Sequence, residues 1–99
     1  MNYWYVLSET ALEDLANIWE FYARNGKTIA DKQIRVILRQ VEDLTVFPEL
    51  GRSRNDLQAG LRVFNAGKHL IFYIPTQEEI LVRRILHGHQ DIEAILGEE

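Results

Sequence analysis

Cysteine is absent from the 99-residue chain, methionine occurs once and proline twice. Without thiols there is neither a disulfide framework nor a zinc–thiolate site, which fits a reduced, cytosolic setting. No apolar run approaches the roughly 20 residues that a membrane-spanning helix needs. The first ten residues, MNYWYVLSET, have no basic n-region and no small-residue cleavage site, so no secretory leader is expected. An excess of positive charge is missing too: 11 Lys and Arg stand against 15 Asp and Glu, a net charge of −4. General affinity for nucleic acid through phosphate neutralisation is therefore not expected. The phosphate-cradling glycine motifs are absent. Neither serine, Ser8 or Ser53, lies in a G-x-S-x-G nucleophile turn.

What is present is the composition of an ordinary globular domain, 46% hydrophobic and 26% charged, on a scale that suits one domain over residues 1–99. The segment 2–7, NYWYVL, is aromatic and β-branched and reads as a strand. Ser8 is placed to cap the helix that follows, with Thr10 and Glu13 as an alternative capping box. Leu12, Leu15, Ala16, Trp19, Tyr22 and Ala23 recur at three- and four-residue steps and predict a core-facing stripe. Arg24–Gly26 makes a turn. A second helix is predicted from about Thr28 to Phe47, with Ile34, Ile37, Leu38, Val41 and Leu44 on its apolar face and Pro48 ending it. After a polar connection over 48–60, three short strands are predicted at 61–65, 69–74 and 80–86, joined by turns short enough for antiparallel hairpins. In the last, alternation assigns Leu81, Arg83 and Ile85 to one face and Ile80, Val82, Arg84 and Leu86 to the other. Asp91 would cap a short final helix. The expectation is an α+β domain of order β-α-α-β-β-β(-α), with a helical hairpin packed on a small antiparallel sheet.

The chemistry-bearing residues are few. HGHQD, residues 87–91, resembles the opening of a metallohydrolase site, but Ile92 follows Asp91 where such sites add a histidine, and only His69 remains as a further imidazole. Gly88 breaks the strand between the two histidines, and Asp91 already has a role as a cap. No metal site and no cofactor are expected. The adjacent carboxylate pairs Glu13/Asp14, Glu42/Asp43 and Glu78/Glu79 do not converge on one substrate and read as solvated faces. Between residues 51 and 74, Arg52, Arg54, Arg62 and Lys68 face only Asp56, a local charge of +3. That surplus reads either as a solvated loop or as a docking surface for an acidic partner or a phosphate backbone. Arg62, Lys68, His69, Arg83, Arg84 and His87 could serve a metal-free ribonuclease, or could be rim residues pairing with acids.

The pieces LSETALEDLANIWEFYA (7–23), FPELGRSRNDLQAGLRVF (47–64), HLIFYI (69–74) and VRRILHGHQDIEAIL (82–96) run in a familiar order. Together they resemble the ParE/RelE family of toxins from type II toxin–antitoxin systems, nearest the ParE (plasmid-stabilisation) branch. The resemblance implies the fold just described and a cytoplasmic protein neutralised by a cognate antitoxin. The antitoxin expected is ParD-like, with a ribbon-helix-helix part and a tail that folds along the toxin. It implies inhibition of DNA gyrase by binding rather than turnover; the RelE branch instead cleaves messenger RNA on the ribosome. For the nuclease alternative the candidate catalytic residues are Arg62, His69, Arg83 and His87. For a target surface they are Arg52, Arg54, Arg62, His87 and His89. For the antitoxin they are Trp19, Tyr22, Arg35, Arg39, Arg83 and Arg84. Relatives often carry arginine where this chain has Gln90 and His69, and no tyrosine follows Tyr73. A neutral Gln90 cannot stabilise a phosphorane as a cation does, which favours the binding toxin. A third reading is a degenerate toxin that keeps only antitoxin binding.

Overall fold

A computed structural model describes residues 4–88 and 90–97. Strand β1 (Trp4–Leu7) leads through Ser8 into helix α1 (Glu9–Ala23), and a tight turn joins it to helix α2 (Lys27–Val46). Then come β2 (Arg52–Ser53), β3 (Arg62–Ala66), β4 (His69–Pro75), β5 (Glu79–His87) and helix α3 (Ile92–Gly97). The five strands form one sheet in the order β1-β5-β4-β3-β2. The hairpin of α1 and α2 covers one face. Its turn uses Gly26 at φ 121°, a conformation that L side chains rarely adopt.

The sheet differs from the expected antiparallel one at its edges. Strands β2 to β5 pair antiparallel, but β1 pairs parallel with β5, Tyr5 opposite Ile80 and Leu7 opposite Val82. The cause is connectivity: β1 reaches the sheet through two helices, and such a crossover allows parallel pairing where a tight turn does not. Strand β2, two residues long, falls inside the segment read as a loop.

A second difference lies in β5. Phe72 pairs with Arg84 and Tyr73 with Val82, so Arg83 is an extra residue, a β-bulge. The bulge shifts the period by one. Ile80, Val82 and Ile85 therefore share the core beneath the helices with Ile71, Tyr73, Ile37, Val41 and Leu44, while Leu86 turns to the other face. The simple alternation predicted over 80–86 fails past Val82 for this reason. On the far face Leu61, Val63, Phe72 and Leu86 form a second core, closed by Leu57 and by Ile92, Ile95 and Leu96 of α3.

Helix α1 also sits differently from the predicted stripe. Ala11, Asp14 and Leu15 are buried and Ile18 is packed against the core, whereas Leu12 is half exposed. The helix is turned by about one residue, because the buried line runs through a charged side chain that an apolar template skips. The Asp14 carboxylate takes a bidentate pair from Arg84, Nε to Oδ2 at 2.8 Å and Nη2 to Oδ1 at 2.9 Å. Its Oδ2 also accepts the Ile85 backbone N–H at 2.9 Å. Ser8 caps α1, its hydroxyl accepting from the Ala11 amide and donating to the Arg83 carbonyl. Strand β1 pairs with β5 only as far as Val82, so two side chains of the α1 segment take over its edge from there.

At the opposite end Tyr73 ties the polar connection to the sheet. Its buried hydroxyl accepts from Gly51 N–H and donates to the Pro48 carbonyl, both at 2.8 Å. Burial pushes the phenol pKa up, so the donor is retained. A Cβ at Gly51 would lie 2.7 Å from the Tyr73 oxygen and 2.7 Å from the Val63 carbonyl oxygen, so a side chain there would displace backbone.

Replacing Asp14 by alanine leaves the Arg84 guanidinium without its carboxylate and the Ile85 amide without its acceptor. With the two side chains only 10% and 15% exposed, the loss should be about 3 kcal/mol, read as a lower urea midpoint. Tyr73→Phe should cost about 1–2 kcal/mol by the same measurement, because a buried N–H and a carbonyl lose one shared partner.

Candidate functional site

Two hollows lie at opposite ends of the sheet. The first is a cleft of about 440 Å³ between the C-terminal half of α1 and the ends of β4 and β5. Its walls include Asn17, Phe21, Tyr22, His69, His87 and Gln90. Cross-strand pairing sets His69 opposite His87, with ring centroids 5.7 Å apart and planes near perpendicular. Tyr22 meets the other side of His69 at 6.0 Å, and Phe21 stands edge-on to Tyr22 at 5.2 Å. His69 is buried, and Phe21 is 56% exposed at the lip with Arg24 over its ring. Burial, then the neighbouring His87 and Lys68, hold the His69 pKa below its ordinary 6.5, so the imidazole is neutral at pH 7.

Gln90 closes the end of β5 by accepting the His87 N–H on its side-chain oxygen at 2.7 Å. An arginine has no acceptor and could not make that bond. Asp91 accepts from the Ala94 amide at the start of α3, the capping role foreseen for it. His89, named for the target surface, lies outside the described residues. Among the described residues no three histidine or acidic side chains come together as a metal-binding group.

The second hollow, about 740 Å³ and open, lies between the 48–62 segment and the β4–β5 turn, with Ser53, Asn55, Arg62 and Thr76 in its walls. Arg62 faces Tyr73 across β3 and β4, four residues along β4 from His69. At about 3.3 Å per residue this is roughly 13 Å of strand, so Arg62 does not join the two histidines. Its Nη1 donates to the Gly51 carbonyl oxygen at 2.5 Å. Of the nuclease set only His69 and His87 meet; Arg83 sits at the bulge, half-buried.

The local positive charge is partly spent within the chain. Arg54 makes a bidentate pair with Asp56 at 3.0 and 2.9 Å, which raises the Arg54 pKa and lowers that of Asp56. Arg52 stands exposed on β2. In the set named for the antitoxin, Trp19 donates its indole N–H to Asp31 at 2.8 Å and so ties α1 to α2. That bond, with the Lys27 pair, holds Asp31 below the usual carboxylate range. Tyr22 belongs to the cleft, and Arg84 is bound to Asp14. Arg35 and Arg39 lie exposed on α2 beside Lys32 and Val36, around a shallow groove of about 250 Å³. The residues missed from sequence are Asp14, Asn17 and Phe21. Asp14 had a signal, since it falls in phase with Ala11, Leu15 and Ile18 at helical spacing.

The sequence matches the profile of the family described as "ParE toxin of type II toxin-antitoxin system, parDE" over residues 5–92. The chain belongs to this ParE toxin family. It is similar to Toxin ParE3 of Caulobacter vibrioides, 36% identical over 75 residues that cover 76% of this chain and 75% of that protein. It is also similar to Toxin ParE1 of Mycobacterium tuberculosis, 32% identical over 91 residues covering 90% and 93%. A solved structure titled "Chromosomal ParDE TA system from P. aeruginosa" superposes with a TM-score of 0.72 at 23% identity, covering 86% of this chain and 95% of that one. The ParE-type α+β fold expected from the sequence is thus the fold observed, and no helix among the described residues is long and apolar enough to cross a membrane.

The neutral, buried His69 makes stability pH-dependent. Because folding lowers its pKa, the unfolded chain binds more protons, and stability falls as pH drops below 6.5 and through the folded-state value. The urea midpoint should decline from pH 7 to pH 5, and His69→Phe should flatten that part of the profile. An unchanged slope in the variant would assign the decline to other groups.

Proposed function

We propose that this ParE-family chain is a cytoplasmic toxin that inhibits DNA gyrase by binding it and is held inactive by a cognate antitoxin of the ParD type. The observation that carries the binding reading is the placement of the candidate nuclease arginines: Lys68 and Arg24 border the histidine cleft, but Arg62 and Arg84 are held elsewhere. A metal-free phosphodiester cleavage site gathers a proton-transfer group and several cations about one phosphate. Here the two histidines meet in one cleft, Arg62 lies at the other end of the sheet, Arg84 is engaged by Asp14, and Gln90 stands beside His87 as a neutral group. Two separate hollows suit a protein that presents one surface to an antitoxin and another to a target. The relatives named ParE toxins add to this reading, as does the ParDE title of the structural neighbour.

Supercoiling by purified gyrase should fall in proportion to added protein, and expression without antitoxin should give filamentous, growth-arrested cells. Full supercoiling activity at saturating protein would contradict the gyrase target. Growth arrest with rapid messenger loss would move the assignment to ribosome-dependent cleavage, and unhindered growth would mark a scaffold that only binds antitoxin.

A further inference from the structure

His69 lines the cleft between α1 and the ends of β4 and β5, yet it is only 4% exposed. Among the described residues its imidazole makes ring contacts with Tyr22 and His87 but has no hydrogen-bond partner. No fully buried side-chain nitrogen among those residues lacks a partner, so the ring nitrogens of His69 open on the cleft. A neutral imidazole offers one N–H donor and one acceptor there. A polar edge set so deep is costly to leave unmet, and it marks the cleft as a place for a hydrogen-bonding ligand.

The walls around that edge are aromatic and aliphatic. Phe21 meets Tyr22, Tyr22 meets His69 and His69 meets His87, a chain of four rings, and Ile18 and Ile85 add aliphatic surface. Rings so placed pair with a planar group by offset stacking or edge-to-face contact. A volume of about 440 Å³ is in the range of small-molecule sites. The charge about the cleft is positive. Lys68 lies near enough to lower the His69 pKa, and Arg24 stands 5.5 Å over the Phe21 ring at the lip. Asp14, the carboxylate among the lining residues, is taken up by Arg84 and the Ile85 N–H. A cationic ligand would therefore meet repulsion, and an anionic one attraction.

We propose that the cleft binds a small planar aromatic anion, an arene or heteroarene carboxylate, whose ring lies among Phe21, Tyr22 and His87 and whose carboxylate accepts the His69 N–H on the side of Lys68. A carboxylate acceptor makes the stronger, charge-assisted form of the bond that a neutral imidazole can donate. The site is separate from the gyrase and antitoxin readings above and stands or falls without them.

The probe is indole-3-carboxylate, titrated into the full chain at low salt and followed by calorimetry and by the NMR signals of the histidine rings. Saturable binding is expected, with the His69 and His87 ring protons moving along one isotherm. The aminomethyl cation of the same indole, and cyclohexanecarboxylate, an anion without a planar ring, should each bind at least about tenfold more weakly. His69→Phe should weaken binding by at least about fivefold. Lys68→Glu and Phe21→Ala, both at exposed positions, should weaken it by at least about threefold, while Arg52→Glu on the edge strand β2 changes it by less than about twofold. Circular dichroism checks that the variants fold, and the two exposed positions decide the matter if His69→Phe does not. Absence of saturable binding at millimolar probe, equal binding of the cation, or affinity indifferent to the cleft variants would each overturn the proposal.

Discussion

The Asp14 carboxylate is the contact on which the arrangement of this small domain depends. Strand β5 is the spine of the sheet, yet β1 covers its edge only as far as Val82. Beyond that point Ser8 satisfies the Arg83 carbonyl and Asp14 satisfies the Ile85 amide, while the same carboxylate holds the Arg84 side chain. A helix thereby substitutes side-chain acceptors for a missing strand. Removing a carboxylate and a guanidinium from water is costly, and such a pair is a weak source of net stability. What it supplies is register: the bulge at Arg83, the turn of α1 and the wall of the cleft are set together. No buried side-chain nitrogen or oxygen among the described residues is left without a partner, which is the condition under which a buried polar network rigidifies a core.

How much of this was legible in sequence depends on whether the deciding interaction was local. Ser8 as cap, the end of α2 near Pro48, the hairpins and the Asp91 cap all follow from short-range rules, and the structure agrees. The features that local rules do not report depend on long-range pairings. Asp14, whose partner is 70 residues away, reads locally as a solvent-facing neighbour of Glu13, and that displaces the predicted apolar stripe by one residue. The bulge in β5 carries no glycine to announce it, so alternation was carried past the point where it holds. Parallel pairing of β1 depends on the path of the intervening hairpin, which periodicity does not report. The cleft itself was half legible. His69 and His87 were both singled out, but Phe21 and Asn17, which wall it beside them, looked like ordinary surface positions.

The functional picture follows from where charge is used. A net charge of −4 leaves few cations to spare, and several of those the sequence offered as site residues are committed inside the chain. Arg84 meets Asp14, Arg54 meets Asp56, and Arg62 meets the Gly51 carbonyl. Arg35 and Arg39 with Lys32 remain at the surface of α2, Arg52 on β2, and the buried, neutral His69 lies in the cleft beside His87. That distribution favours recognition of proteins over chemistry on phosphate.

The most direct test of the structural account is a double-mutant cycle on Asp14→Asn and Arg84→Met, measured by equilibrium denaturation, with the Ile85 amide followed by hydrogen exchange. A coupling energy of at least about 1.5 kcal/mol is predicted, with faster exchange at Ile85 in the Asp14 variant. Additivity within about 0.5 kcal/mol and an unchanged Ile85 amide would contradict the claim that this carboxylate sets the register of helix and sheet.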